Sequence, residues 1–363
     1  MTAPSMQPRP TTNGDADQVS QLGDACMEHP DIGFLEIVPA LLGKTSLTRS
    51  LVLWAVGLTG LLTLVFVVLH FGSLERIVEL ARSARPTWLL LAIVVQGGTY
   101  VSAALVWRQA LRRAGHPRSL RTLIPLGIAK VFTDQMLPSG GISGTMLVVS
   151  GLIRRRVPAA VAMAAMLAGL VSYDIAYLSV VVAAATMLRL HNRANLPLLI
   201  GVTIFAIVMI AIPSIVLGLK RLGDQKPFAW LSRLLGLSAL LRALSDAPTD
   251  LLRSPRLVMQ TVGLQLAIFM FDTVTFWLAF RAIGYGPEPW AIFVSFTMAS
   301  MAATIGPIPL GLGTFEAAAV GMLHLLGVPI EAALSGTLLL RGLTVWLPML
   351  PGVLLARREI HRP

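Results

Sequence analysis

Six ionisable side chains stand inside stretches that are otherwise almost wholly apolar: Lys130, Asp134, Asp174, Asp272, Glu316 and Arg341. Holding a charge at bilayer depth costs about 2.5–3.5 kcal/mol or more, so such groups are kept for pairing or for function. Lys130 and Asp134 are four residues apart on one helical face, the spacing of an ion pair and equally of a small polar site. Asp174 falls midway along a long apolar run, in "SYDIAY", and Arg341 near the middle of the last one. These two are expected either to pair with each other or to form two halves of a headgroup site. Glu316 stands in "IGPIPLGLGTFEAA" (305–318), in the first turn of the helix after Gly313, where the positive end of the helix dipole favours a carboxylate. Asp272 is a further intramembrane candidate. The chemistry these residue types suit is recognition of a charged headgroup, since no Ser-His-acid arrangement can be argued beside them.

The composition says what carries these groups. Of 363 residues, 55% are hydrophobic and 13% charged, and the mean hydropathy is +0.75. A soluble domain carries about 25% charge, so the chain reads as an all-α polytopic membrane protein. Its net charge of +11 does not imply a nucleic-acid partner. The arginines cluster in short links between apolar runs, as positive-inside loops do, and form no continuous basic face interleaved with aromatics. Cys26 is the only cysteine, which excludes a disulfide framework and a cysteine-based metal cluster. The six histidines show no ligand spacing, so no metal is expected. No Gly-Lys-Ser/Thr phosphate loop is present, so neither ATP nor another cofactor is expected. "LGDAC" (22–26) lacks the apolar run that a lipoprotein signal needs before it.

About 20 mostly apolar residues span a bilayer. The chain offers six such runs, at 51–71, 87–107, 157–188, 196–219, 257–280 and 331–356, forming one transmembrane domain over 51–358. Residues 1–50 read as a cytoplasmic tail, disordered over 1–32 and then briefly interfacial. Two regions fit no single span. In 121–153, Pro138, Gly140 and Gly141 ("LPSGG") interrupt the apolar pattern; in 289–326, Pro307, Pro309, Gly311 and Gly313 do so. Each reads as a helical hairpin that dips in and returns to its own side, its turn buried in protein because irregular backbone is not tolerated in lipid. With that reading the arginine-rich links 108–121, 154–156 and 220–256 fall on one side, and both termini are cytoplasmic in a cell membrane. Units 87–188 and 257–356 correspond at an offset near 170, pairing Pro138 with Pro307 and Val157-Pro158 with Val328-Pro329. Six full spans with two hairpins entering from opposite sides make an inverted repeat, a plan used by transporters.

"PIPLGLGTFEAA", followed by "GVPIEAA" and "LLLRGLTVWLPMLPG", resembles the C-terminal signature of the lysylphosphatidylglycerol synthase transmembrane-region family. "LPSGGISGTMLVVSGLIRRRVP" is similar to its N-terminal signature. Leu310 departs from the pattern, standing where the family usually has the first glycine of a Gly-Gly pair. The resemblance implies a membrane-embedded lipid translocator with a membrane phospholipid as substrate. In the best-known members that module is fused to a soluble aminoacyl-transfer domain, and no stretch of these 363 residues reads as that domain. The expectation is therefore a flippase-like protein and not an enzyme. The rival readings are a glycosyl or aminoacyl transferase acting on a lipid acceptor, or a partner subunit of a separate lipid-modifying enzyme of the cell envelope.

Overall fold

The computed structural model describes residues 84–136, 142–193, 200–207, 254–305 and 313–360, with 209, 211 and 311. The expected span 51–71, most of 196–219, the tail, and Pro138, Gly140, Gly141, Pro307 and Pro309 lie outside the described residues. The first described half runs α1 (Pro86–Arg113), α2 (Leu120–Met136), α3 (Ile142–Arg154) and α4 (Ala159–Leu190). The second runs α5 (Pro255–Ala282), α6 (Pro289–Ile305), α7 (Thr314–Leu325), α8 (Ile330–Arg341), a π turn (Gly342–Trp346) and α9 (Leu347–Ile360). Every regular element among the described residues is helical.

Among the described residues four helices are long and apolar enough to cross a membrane: α1, α4, α5 and the continuous run Ile330–Glu359. They coincide with four of the six expected spans. The halves match element by element. Both open with a 28-residue helix and continue with a 17-residue one. A helix of 13 residues follows in the first half and one of 12 in the second. Each half then closes with a long helix, of 32 and 30 residues.

The helix ends explain why the lengths repeat. Proline opens α1 and α5, at the position where its missing N–H is not needed. Both helices stop at a glycine with positive φ, Gly115 at 78° and Gly284 at 77°. The next N–H then folds back, from His116 to Leu111 O at 2.9 Å and from Tyr285 to Phe280 O at 3.0 Å, a Schellman end. The third helices end alike, with Val157 N–H on Leu152 O and Val328 N–H on Leu323 O. There the left-handed residue is Gly327 in the second half but Arg156, at φ 60°, in the first. Pro158 and Pro329 then start the closing helices with nearly the same extended geometry.

The equivalent helices α1 and α5 pack antiparallel. Arg85 N–H, just before α1, donates to Ala282 O at the end of α5 (2.8 Å). Further along, Gly98 faces Phe271, whose ring would lie 3.0 Å from any Cβ at that position. At one end of the bundle Arg118 donates to Arg155 O at 2.5 Å, and Arg155 binds Glu359 through both guanidinium ends at 2.8 and 2.6 Å. The start of α2, the α3–α4 turn and the end of α9 therefore meet there. At the other end His191 stacks on Trp290 at 3.9 Å, and Arg281 lies over Trp88 and Trp277. A recess lined by Tyr285, Trp290, Leu326 and Val328 puts the α7–α8 turn at that same end. The pair α2–α3 thus begins and finishes at the arginine-rich end, and the pair α6–α7 at the opposite one. Helices of 17, 13 and 12 residues rise about 18–26 Å, short of the ~30 Å hydrocarbon core.

Two apolar clusters hold the pairs in place. One packs α2 and α3 between α1 and the first part of α4, with Leu123, Leu126, Leu147 and Leu152 fully buried or nearly so. The other packs α6 and α7 against α5, α8 and the rest of α4 around Tyr177, Phe276, Phe280, Ile292 and Leu323. Large apolar side chains such as Leu90, Val94, Val182 and Met259 point outward, as a lipid-facing surface requires.

Candidate functional site

The chain leaves α6 and enters α7 through Gly311 and Gly313, at φ 58° and 79°. Only glycine takes such values without strain, and a Cβ on Gly311 would also lie 2.5 Å from that of Ala303. The Thr314 hydroxyl closes the turn by donating to Gly311 O at 3.0 Å. Glu316 is thereby delivered, 1% exposed, to the first turn of α7. Its Oε2 accepts from the Gly313 N–H at 2.7 Å, satisfying one of the free amides at the helix start and facing the positive dipole end. Its Oε1 accepts from Arg341 Nε at 2.6 Å.

Arg341 is the last residue of α8, and its guanidinium also lies 5.0 Å from the centre of the Phe315 ring. Directly after it the helix widens into the π turn. Pro348 has no N–H for the carbonyl one turn back, and the Thr344 hydroxyl turns to Leu340 O at 2.9 Å. Single π turns inside α-helices are frequent at functional sites. The widened turn therefore sits in mid-span beside the ion pair. Arg341 pairs with Glu316; of the two expectations for Asp174 and Arg341, the direct pairing is not formed among the described residues. The reason is local: the glycine turn places Glu316 on the helix that packs against α8, while Asp174 lies on α4.

The first half repeats the arrangement with different residues. Lys130 pairs with Asp134, as the i,i+4 spacing predicts. Asp134 also reaches across the pair, its Oδ1 accepting from the Gly144 N–H in the first turn of α3 at 2.8 Å. Gly144 is required by that approach, since a Cβ would lie 2.3 Å from the carboxylate. Each short pair thus has the start of its second helix held by a carboxylate, and each carboxylate is matched by one cation. The site on α2 is linked to the other through α9. Gly352 lies against Phe132 and Ile128 O, and the antiparallel run of α2 and α9 brings the end of α2 to the level of the π turn.

Asp174 is half-buried and has no hydrogen bond or ion pair among the described residues. Asp272 accepts from Gln96 Nε2 and Thr99 Oγ1, both at 3.0 Å. Reasoning from sequence missed the bidentate Arg155–Glu359 pair, the π turn, and Gln96 and Thr99 as partners of Asp272.

A family model described as lysylphosphatidylglycerol synthase TM region matches residues 52–352. The chain belongs to that family. A search of curated proteins found no match. Membership and the four long apolar helices make this a multi-pass membrane protein of a family tied to lipid modification. The match covers both short helix pairs and the π turn, so the paired carboxylate–cation sites lie within the family's own module.

Proposed function

We propose that this protein is a flippase-like lipid translocator that handles a phospholipid or modified-lipid headgroup near the bilayer midplane. The observation that carries the reading is the Glu316–Arg341 pair, lodged at the start of a short helix and beside a π turn in mid-span. A helix start with free N–H groups and an arginine is an anion site. Glu316 occupies it as a resident anion, and a lipid phosphate is the chemical equivalent that can replace it. Asp134 stands in the same relation to the start of α3. The displaced carboxylates, with Asp174, then face a cationic or hydroxylated headgroup. The two short pairs act as re-entrant hairpins entering from opposite sides, completing an inverted repeat with six full spans. Pro138, Gly140, Gly141, Pro307 and Pro309, with Gly311 and Gly313, form their turns. The protein works in the cell membrane with both termini in the cytoplasm.

The test is headgroup-resolved flipping by the purified protein in liposomes carrying fluorescent phospholipids. Transport of at least one headgroup class, lost in Glu316→Gln and Arg341→Gln proteins that remain folded, supports the proposal. Absence of transport across a panel of zwitterionic, anionic and aminoacylated lipids would overturn it. Mass spectrometry of the same lipids separates a transferase, which would change the headgroup, from a translocator, which leaves it intact.

A further inference from the structure

Away from the helix ends, the apolar segments of this chain contain two cations, Lys130 and Arg341. Both are taken, by Asp134 and Glu316. The spans 51–71 and 196–219 hold no lysine or arginine that could supply another. Among the described residues Asp174 and Asp272 are therefore carboxylates without a counter-cation, and an ionised carboxylate at membrane depth is strongly disfavoured.

Asp272 has the more fully built surroundings. It sits on α5 at the face packed against α1, and neutral donors from α1 converge on one of its oxygens. Gln96 Nε2 and the Thr99 hydroxyl both reach Oδ1, leaving Oδ2 without a partner among the described residues. Gln96 is 5% exposed, and its own Oε1 is buried with no hydrogen-bond partner. The titratable groups around Asp272 are the phenols of Tyr100 on α1 and Tyr173 on α4, with Asp174 acting on the same Tyr173. On α8, which also packs against α5, the charged groups are Glu331 at its start and Arg341, already joined to Glu316. None of these brings a positive charge to Asp272.

We infer that Asp272, with Gln96 and Thr99, is a proton-binding site in the membrane interior. A proton adds to Oδ2, an O–H bond forms and the negative charge disappears, while Oδ1 keeps both of its hydrogen bonds. The ionised form is supported by the same two donors, so both states are housed without rebuilding the site. A metal cation fits less well, because a hard cation gathers six or more oxygens and only the carboxylate, one hydroxyl and one amide converge here. A carboxyl that gains and loses a proton at this depth lets a membrane protein draw on a proton gradient. The site stands on its own geometry, whatever the transported molecule.

Dicyclohexylcarbodiimide, which reacts with protonated carboxyls in apolar surroundings, tests this on the full-length protein in detergent, with mass spectrometry to locate the adduct. The expected result is an adduct on Asp272 at neutral pH that declines as pH is raised. Glu316 and Asp134 should remain unmodified. Replacing Gln96→Leu and Thr99→Val together removes the donors that favour the ionised form, and should move the decline upward by about one pH unit. Gel filtration reports whether each protein remains intact. An intact protein with no adduct on Asp272 at any pH would overturn the inference, as would equal modification of Glu316. Protection by sodium chloride at constant pH would overturn it too, by showing a metal cation in the site.

Discussion

Arg341 Nε donates to Glu316 Oε1 at 2.6 Å, joining the mid-span break of the last helix to the start of the short helix α7. With only 12% and 2% of the two side chains exposed, solvent screens the pair little. Removing one partner of a buried pair costs about 3–5 kcal/mol, because the other charge is left uncompensated. Arg341→Gln and Glu316→Gln are each expected to lower the detergent melting temperature sharply. The double variant should recover much of that loss yet fail to move lipid. Melting and liposome flipping, measured on the same preparations, check it; a stable double variant that still flips would reduce the pair to packing.

The Arg155–Glu359 pair ties the end of α3 to the end of α9 across 204 residues of sequence. Glu359→Gln should cost about 3 kcal/mol or more, and Arg155→Met with Glu359→Leu should restore most of it. Thermal unfolding in detergent reads both. Equal melting of Glu359→Gln and the native protein would show that the pair adds nothing to stability.

Arg156 holds a left-handed backbone conformation that its counterpart Gly327 adopts freely. Such a conformation costs a non-glycine residue about 1–2 kcal/mol. Arg156→Gly is expected to raise the melting temperature, whereas Gly327→Arg should lower it. A fall on Arg156→Gly would mean that the arginine side chain contributes more than the strain.

Gly144→Ala places a methyl group against the Asp134 carboxylate and the Lys130 stem. Overpacking of this kind costs about 1–3 kcal/mol, and here it also pushes the carboxylate off the start of α3. Loss of flipping beyond the loss of folded protein, compared at matched amounts in liposomes, is the expected outcome.

Single cysteines at Gly115 and Arg156 should react with membrane-impermeant reagents from one side, and those at Asn192, Tyr285 and Gly327 from the other, in a Cys26→Ser background. The grouping follows from the contacts at each end of the bundle. Labelling of 115 and 285 from the same side would overturn the topology.

How far these features can be read from sequence depends on how local they are. The Lys130–Asp134 pair was legible because four residues fix its geometry on one helix. The long helices were legible because apolar runs between arginine-rich links leave few alternatives, and the near-170 offset is visible in Val157-Pro158 and Val328-Pro329. The mid-membrane charges were legible from their rarity. Their partners were not, because Glu316–Arg341, Asp272–Gln96 and Arg155–Glu359 are set by helix packing. Sequence left Asp174 and Arg341 open as mutual partners or as two halves of one site from depth alone, and depth does not say which face of a helix a side chain occupies. The π turn left only a faint trace, a glycine following Arg341 and a proline shortly beyond.

That π turn has a mechanical consequence. It is one surplus residue in an otherwise regular helix whose far end is fastened at Glu359. Were the surplus handed from one turn to the next, the stretch it passed would advance about 1.5 Å and rotate by about 100°, with the ends of the helix standing still. Arg341, at the edge of the bulge, is the side chain such a travelling wrinkle would swing first, away from Glu316 and toward another face of the bundle. A helix of this kind can act as a crank without any movement at its ends.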